Sequence, residues 1–248
     1  MPNPPEDLSA GRHDWFETTH WSLVLVASRG DPARARAALE KLCQSYWYPL
    51  YAFVRRTGLT AHDAEDSVQG FFAVCLEKNY LNAADESRGR FRSFLLMALK
   101  RFLSKERDKI RAHKRGGGKA PIALDGLTAE QRYALEPADP FSADKLFERR
   151  WALTLLEQVL SRLREEQAAA GKQETFEQMK EVLSSGGRGT PYAQLAAQLG
   201  MSEGAVKVAV HRLRQRYRAL LEREIANTVA SPEEIEEERR YLLTVLSR

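Results

Sequence analysis

Lys207, His211, Arg214 and Arg218 recur at alternating four- and three-residue intervals, a spacing that lines them up on one stripe of a helix. Ammonium, guanidinium and imidazole groups arranged this way donate hydrogen bonds and positive charge. That is the chemistry of holding a polyanion, and of reading base edges where a helix enters a groove. Residues 203–218 carry five Lys or Arg against Glu203, and residues 99–119 carry nine against Glu106 and Asp108. One such segment alone reads as a solvated helix face. Two separated ones predict two contacts with a polyanion. Opposite in sign, Glu233, Glu234, Glu236, Glu237 and Glu238 cluster near the C-terminus.

Covalent chemistry has no comparable pattern. No Asp or Glu is paired with His or Ser in a local catalytic constellation, and the five histidines lack ligand spacing. The stretch RGGGK at residues 115–119 has a glycine-rich look but lacks the second required glycine, the Ser or Thr after lysine, and a preceding strand. Cys43 and Cys75, the two cysteines, sit inside apolar helical patterns and read as reduced core residues. The expectation is therefore no enzyme, no metal and no cofactor. The apolar runs at residues 21–27 and 94–99 are too short to cross a bilayer, and the N-terminus has no basic region followed by an apolar core. A cytoplasmic protein with no membrane partner is expected.

The elements that must position the basic segments are helices. Apolar residues recur at helical spacing almost throughout and strand signals are nearly absent, so the fold class is all-α. The sequence predicts a tail over 1–20, a helical domain over 21–115, a flexible linker over 116–145, a second helical domain over 146–230 and an acidic helix over 231–248. Within the first domain the helices fall at about 21–29, 32–57, 61–79 and 90–113. Asp31-Pro32 reads as a helix cap, and Thr60 with Asp63 as a capping box.

The segment from Thr190 to Leu221 has the pattern of a helix-turn-helix. Thr190 and Pro191 open a first helix with Leu195 and Leu199 on its apolar face, and Ala196 is small where a second helix crosses. Gly200 supplies the left-handed turn, Met201 plugs the corner, and Ser202 caps the second helix. Val206, Ala209, Val210 and Leu213 point inward, leaving Glu203, Gly204, Lys207, Val208 and His211 on the turns that reach base edges. Arg212, Arg214 and Arg216 are placed for phosphates.

In the first domain, AHDAEDSVQGFFAVCLEKN puts Val68, Phe71, Phe72, Cys75 and Leu76 on one face and leaves Asp63, Glu65, Asp66 and Gln69 on the other. The following GRFRSFLLMALKRFLSKERDKIRAHKR mixes Phe91, Phe94 and Phe102 with cations, a composition suited to unstacked bases on a charged track, although Phe102 reads as core. Together, DAEDSVQGFF at 63–72, FRSFLLMALKRFL at 91–103 and SEGAVKVAVHRLR at 202–214 resemble the extracytoplasmic-function (ECF) sigma factors of bacterial RNA polymerase. VLVASRGD ahead of YWYPLYAFVRR matches the opening helices of that family. The resemblance covers about residues 21–115 and 146–224, in the family's order.

It implies a factor that supplies no chemistry but binds core RNA polymerase and directs promoter recognition, DNA melting and initiation. Asp63, Glu65, Asp66, Gln69 and Phe72 would face the polymerase clamp. Arg90, Arg92, Phe94, Lys100, Arg101 and Lys105 would handle the −10 element. Ser202, Glu203, Lys207, Val208, His211, Arg212 and Arg214 would engage the −35 element. Promoter DNA and core RNA polymerase are the implied partners, with an anti-sigma protein as a further candidate. Phe94 stands where the family commonly has Trp, Arg101 and Lys105 where it often has Asn and Asp, and Val208-Ala209 replaces a usual basic residue. The rival reading is a helix-turn-helix regulator that is not a polymerase subunit. It leaves DAEDSVQGFF unexplained and has only the last helix, with Ile235, Leu242, Leu243 and Leu246, as a dimer face. For that acidic helix two roles are expected: folding back on a basic DNA-binding face, or extra packing on the second domain.

Overall fold

The computed structural model describes residues 32–77, 90–112, 126–136, 142–184, 192–229 and 231–247. Those residues form helices α1 (Pro32–Arg56), α2 (Ala61–Glu77), α3 (Phe91–Ala112), α4 (Gly126–Ala134), α5 (Ala143–Ala169), α6 (Gln173–Ser184), α7 (Tyr192–Leu199), α8 (Glu203–Ala226) and α9 (Ile235–Leu246). A single 3₁₀ turn, Pro232–Glu234, precedes α9, and there is no strand among the described residues. The chain is all-α. The helix expected over 21–29, the Asp31 cap, the RGGGK stretch and the Thr190-Pro191 opening lie outside the described residues.

Packing divides the chain into two units, Met1–Thr154 with Ile225–Arg248, and Leu155–Glu224. In the first, α1 turns Leu42, Tyr46, Leu50, Phe53 and Val54 inward at helical spacing. It stops at Gly58, whose φ of 94° needs no Cβ, while the Thr57 hydroxyl donates to the Val54 carbonyl at 2.7 Å. The capping box then starts α2. The Asp63 amide donates to Thr60 Oγ1 at 3.2 Å, and the Thr60 hydroxyl donates to Asp63 Oδ2 at 2.7 Å. Val68, Phe71 and Cys75 from α2 meet Phe91, Leu95 and Leu99 from α3 in one core. Gly70 is small where these helices approach: an added Cβ would sit 3.4 Å from the Phe102 ring, which itself packs 5.8 Å from Phe71.

Part of the expected flexible linker is a docked helix. Glu130 on α4 accepts hydrogen bonds from Arg55 Nε at 2.9 Å, Arg55 Nη2 at 2.7 Å and the Tyr51 hydroxyl at 2.5 Å. Arg55 holds the Glu130 carboxyl below its ordinary range. α4 has only nine residues, too few for periodicity to announce a helix in sequence, and buries Ala129 alone among its described side chains. Its anchor is polar. The first unit is completed by Leu146, Phe147 and Trp151 of α5 and by the chain's last segment, where Ile225, Thr228, Val229 and Leu242 are buried. The acidic helix thus packs within the first unit, not on the second domain.

The second unit is a four-helix core: Val159 and Leu163, Phe176, Met179 and Val182, Leu195 and Ala196, then Val206, Val210, Leu213 and Leu220. α7 ends in a Schellman motif, with Met201 N–H donating to Ala196 O at 3.0 Å and Gly200 N–H to Ala197 O at 3.4 Å. Gly200 has φ of 62°, and a Cβ there would meet nothing within 4 Å. Gly200→Ala should therefore cost this unit about 1 kcal/mol from backbone conformation alone. Helical circular dichroism during unfolding measures it.

Candidate nucleic-acid interface

The side chains of α8 sort by what they touch. Ser202 Oγ accepts the Ala205 amide at 3.2 Å, fixing where the helix begins. Beyond it Glu203, Gly204, Lys207, Val208, His211 and Arg212 are exposed, and Val208 is half exposed at 50%, unusual for a large aliphatic side chain. Lys207 lies 2.6 Å from Glu203 one turn back, which raises its pKa, and its ammonium sits 5.7 Å from the Tyr192 ring. Met201, expected to plug the corner, is 37% exposed; the Schellman turn carries its backbone outward and leaves Leu195 and Ala196 to close the core.

The arginines expected to contact phosphates differ among themselves. Arg214 is half-buried and donates from Nη2 to the Val182 carbonyl at 2.7 Å, so it satisfies the last turn of α6 and is not free on the surface. Arg216 makes a two-pronged contact with Glu166, at 2.7 and 2.6 Å, and holds that carboxyl below its usual range. Arg212 and Arg218 are exposed and have no ion-pair partner among the described residues. Arg212→Ala should lower the slope of log affinity for duplex DNA against log salt by about 1, and Arg216→Ala by clearly less. Titrations across a salt series decide it; equal slopes for the two variants would remove Arg212 from the interface.

On α3, the exposed cations are not those at its start. Lys100, Arg101 and Lys105 are exposed, with Met97 among them at 54%. Lys100 lies 2.5 Å from Asp144 and Arg101 Nη2 lies 3.9 Å from Met97 Sδ. Phe94 is half-buried, its ring 6.2 Å from Phe91. Arg90 and Arg92, both expected to meet DNA, are paired with glutamates of the same chain, Arg92 buried and Arg90 partly exposed. Arg92 is 2% exposed, bonded through Nε to Glu148 at 2.7 Å and through Nη1 to Glu238, with its guanidinium 4.3 Å from the Trp151 ring and 4.6 Å from the Tyr241 ring. Arg90 pairs with Glu237 at 2.8 Å and Glu238 at 2.7 Å. In this conformation both guanidiniums are held by carboxylates of the same chain.

Glu238 is wholly buried between them. Burial pushes its carboxyl above the ordinary range, while Arg92 and Arg90 pull it down. The cluster of Glu148, Trp151, Glu238 and Tyr241 around Arg92 was missed at the level of sequence, where only the five-glutamate run hinted at it. Helical position decides which glutamate turns inward, and nothing local distinguishes Glu238 from Glu236 or Glu237.

The third surface is α2. Asp63 and Asp66 are exposed, His62 lies 3.6 Å from Asp66, and Glu65 and Gln69 are half-buried. Phe72, expected to face a partner, is 7% exposed and packs in the core 5.7 Å from Phe71, so it supports that surface from beneath. Burial pushes the Cys43 and Cys75 thiols up to about 12, which keeps them protonated and poorly nucleophilic. Comparison of the chain with protein-family models, curated proteins and solved structures finds no match.

Proposed function

We propose that this chain is a transcription-initiation factor of the extracytoplasmic-function sigma type, which binds core RNA polymerase and directs it to promoter DNA. The observation that carries this reading is the sequence of α7, a Schellman turn at Gly200, and α8 capped by Ser202. That order supports the helix-turn-helix reading, and α8 carries an exposed Lys207, Val208, His211 and Arg212 on its first turns. These residues read the upstream element in duplex form. The exposed acids of α2, Asp63 and Asp66, meet the polymerase, and the exposed Arg101 and Lys105 of α3 track the downstream strand.

One observation favours the rival regulator. Arg90 and Arg92 are paired with glutamates of the same chain, so the downstream contact lacks two free cations that it is expected to use. Against it, Leu242 of the expected dimer face is buried in the first unit, and only Leu243, at 63%, stands well exposed. Run-off transcription with purified core polymerase, over a pool of promoter-sized genomic fragments, separates the two. Specific transcripts that appear only when the protein is added support the initiation factor. A protein that binds duplex DNA and adds no initiation is the regulator.

A further inference from the structure

Arg90 and Arg92 form an anion site whose present occupant belongs to the same chain. Glu237 and Glu238 of α9 hold carboxylates against the two guanidiniums, and the Tyr241 and Trp151 rings both lie against that of Arg92. We propose that α9 is a cis-acting plug on this site, displaced by an unpaired DNA strand. A phosphate replaces the carboxylates and a base replaces Tyr241 against Arg92. This rests on the reading of α3 as the strand-handling helix.

Two features make the plug exchangeable. Its only buried residues are Glu238 and Leu242, with Ile235, Tyr241, Val245 and Leu246 half-buried and Leu243 exposed, so no broad buried apolar face ties it down. A buried ion pair gains little net stability over its desolvation cost, so such a contact is weakly held for its size. The attachment of α9 is separate from its contact with the arginines. Ile225, Thr228 and Val229 are buried ahead of the Pro232–Glu234 turn, leaving α9 able to leave while its base stays anchored. Glu148 stays on Arg92 Nε, so the positions opened when α9 leaves are Arg92 Nη1 and Arg90; a single strand offers them a negative backbone, with bases that stack on a guanidinium plane.

The test uses the full chain and a labelled oligothymidylate of about 12 nucleotides as probe. Glu238→Gln keeps the shape and removes the charge at the site. Glu236→Gln makes the same charge change on the α9 residue paired with Arg239 and Arg240. At low salt, E238Q should bind the strand at least about fivefold tighter than wild type, and E236Q should not. Adding Arg92→Ala to E238Q should abolish the gain. In the wild type, amide hydrogen exchange over residues 235–246 should speed up when the strand saturates.

Equal strand affinity for a folded E238Q and wild type overturns the plug, and so does an equal gain in E236Q. Should E238Q lose its helical signal, unchanged exchange over 235–246 in strand-saturated wild type overturns it instead. Run-off transcription with both proteins keeps the two ideas apart. Initiation by either, with no gain in strand binding, sinks the plug alone, whereas initiation by neither sinks the functional reading beneath it.

Discussion

Asp63→Lys with Asp66→Lys is expected to abolish association with core polymerase while leaving duplex DNA affinity unchanged. Both carboxylates are exposed on α2 while the opposite face of the helix is committed to the core through Val68, Phe71, Phe72 and Cys75. The substitution therefore changes what a partner meets. Like charges brought together at an interface cost several kcal/mol, on the order of a hundredfold or more in affinity. The local cost is small by comparison. Asp63 loses its bond from the Thr60 hydroxyl and its place near the positive helix start, about 1 kcal/mol together. Asp66 loses only an exposed pairing with His62. Sedimentation with core enzyme reads the first property, and duplex titration reads the second. Retained core binding by a folded variant would remove α2 as the polymerase contact.

What sequence discloses here depends on whether a residue's role is set by its neighbours along the chain. The capping box at Thr60, the left-handed Gly200 and the Ser202 cap are local hydrogen-bonding and backbone requirements, and each stands where the pattern places it. The inward faces of α2 and α8 follow from periodicity and are likewise legible. Phe72 shows the limit of that reasoning. A resemblance assigns it to a partner, periodicity assigns it to the core, and its 7% exposure agrees with periodicity.

The contacts that escaped are between polar groups far apart in sequence. Arg92 and Glu238 are separated by 146 residues, Tyr51 and Glu130 by 79, and neither pair leaves a local signature. The basic residues of α3 and α8 looked equivalent because charge can be counted from sequence but pairing cannot. Arg214 and Arg216 are occupied by Val182 and Glu166, so the cationic surface of α8 is narrower than its composition. The acidic tail is the clearest case. Its charge promised a contact with a basic face, and only the fold could choose which arginines, and in which unit.

Trp151→Ala is expected to be the most destabilising single change in the first unit. The side chain is 1% exposed, at a point where α5 meets the start of α3. Truncation removes a large buried ring and leaves a cavity that helices on either side close only in part, which costs about 3–5 kcal/mol. Two polar groups lose partners as well: the Tyr46 hydroxyl, which accepts a hydrogen bond from the indole, and the Arg92 guanidinium, which keeps only Tyr241 as a stacking ring. Trp151→Phe retains most of the packing and a ring beneath Arg92, so it should cost clearly less than Trp151→Ala. Denaturant unfolding followed by tryptophan fluorescence, to which Trp47 of this unit contributes, measures the loss. The midpoint should fall at unchanged slope. If instead the loss at Trp151→Ala is below about 1 kcal/mol, the ring is not part of the core that holds Arg92 and Glu238 in place. The same pair of variants also bears on the acidic helix: loosening Arg92 from beneath should increase exchange in α9 before the unit unfolds, and Trp151→Phe should do so less.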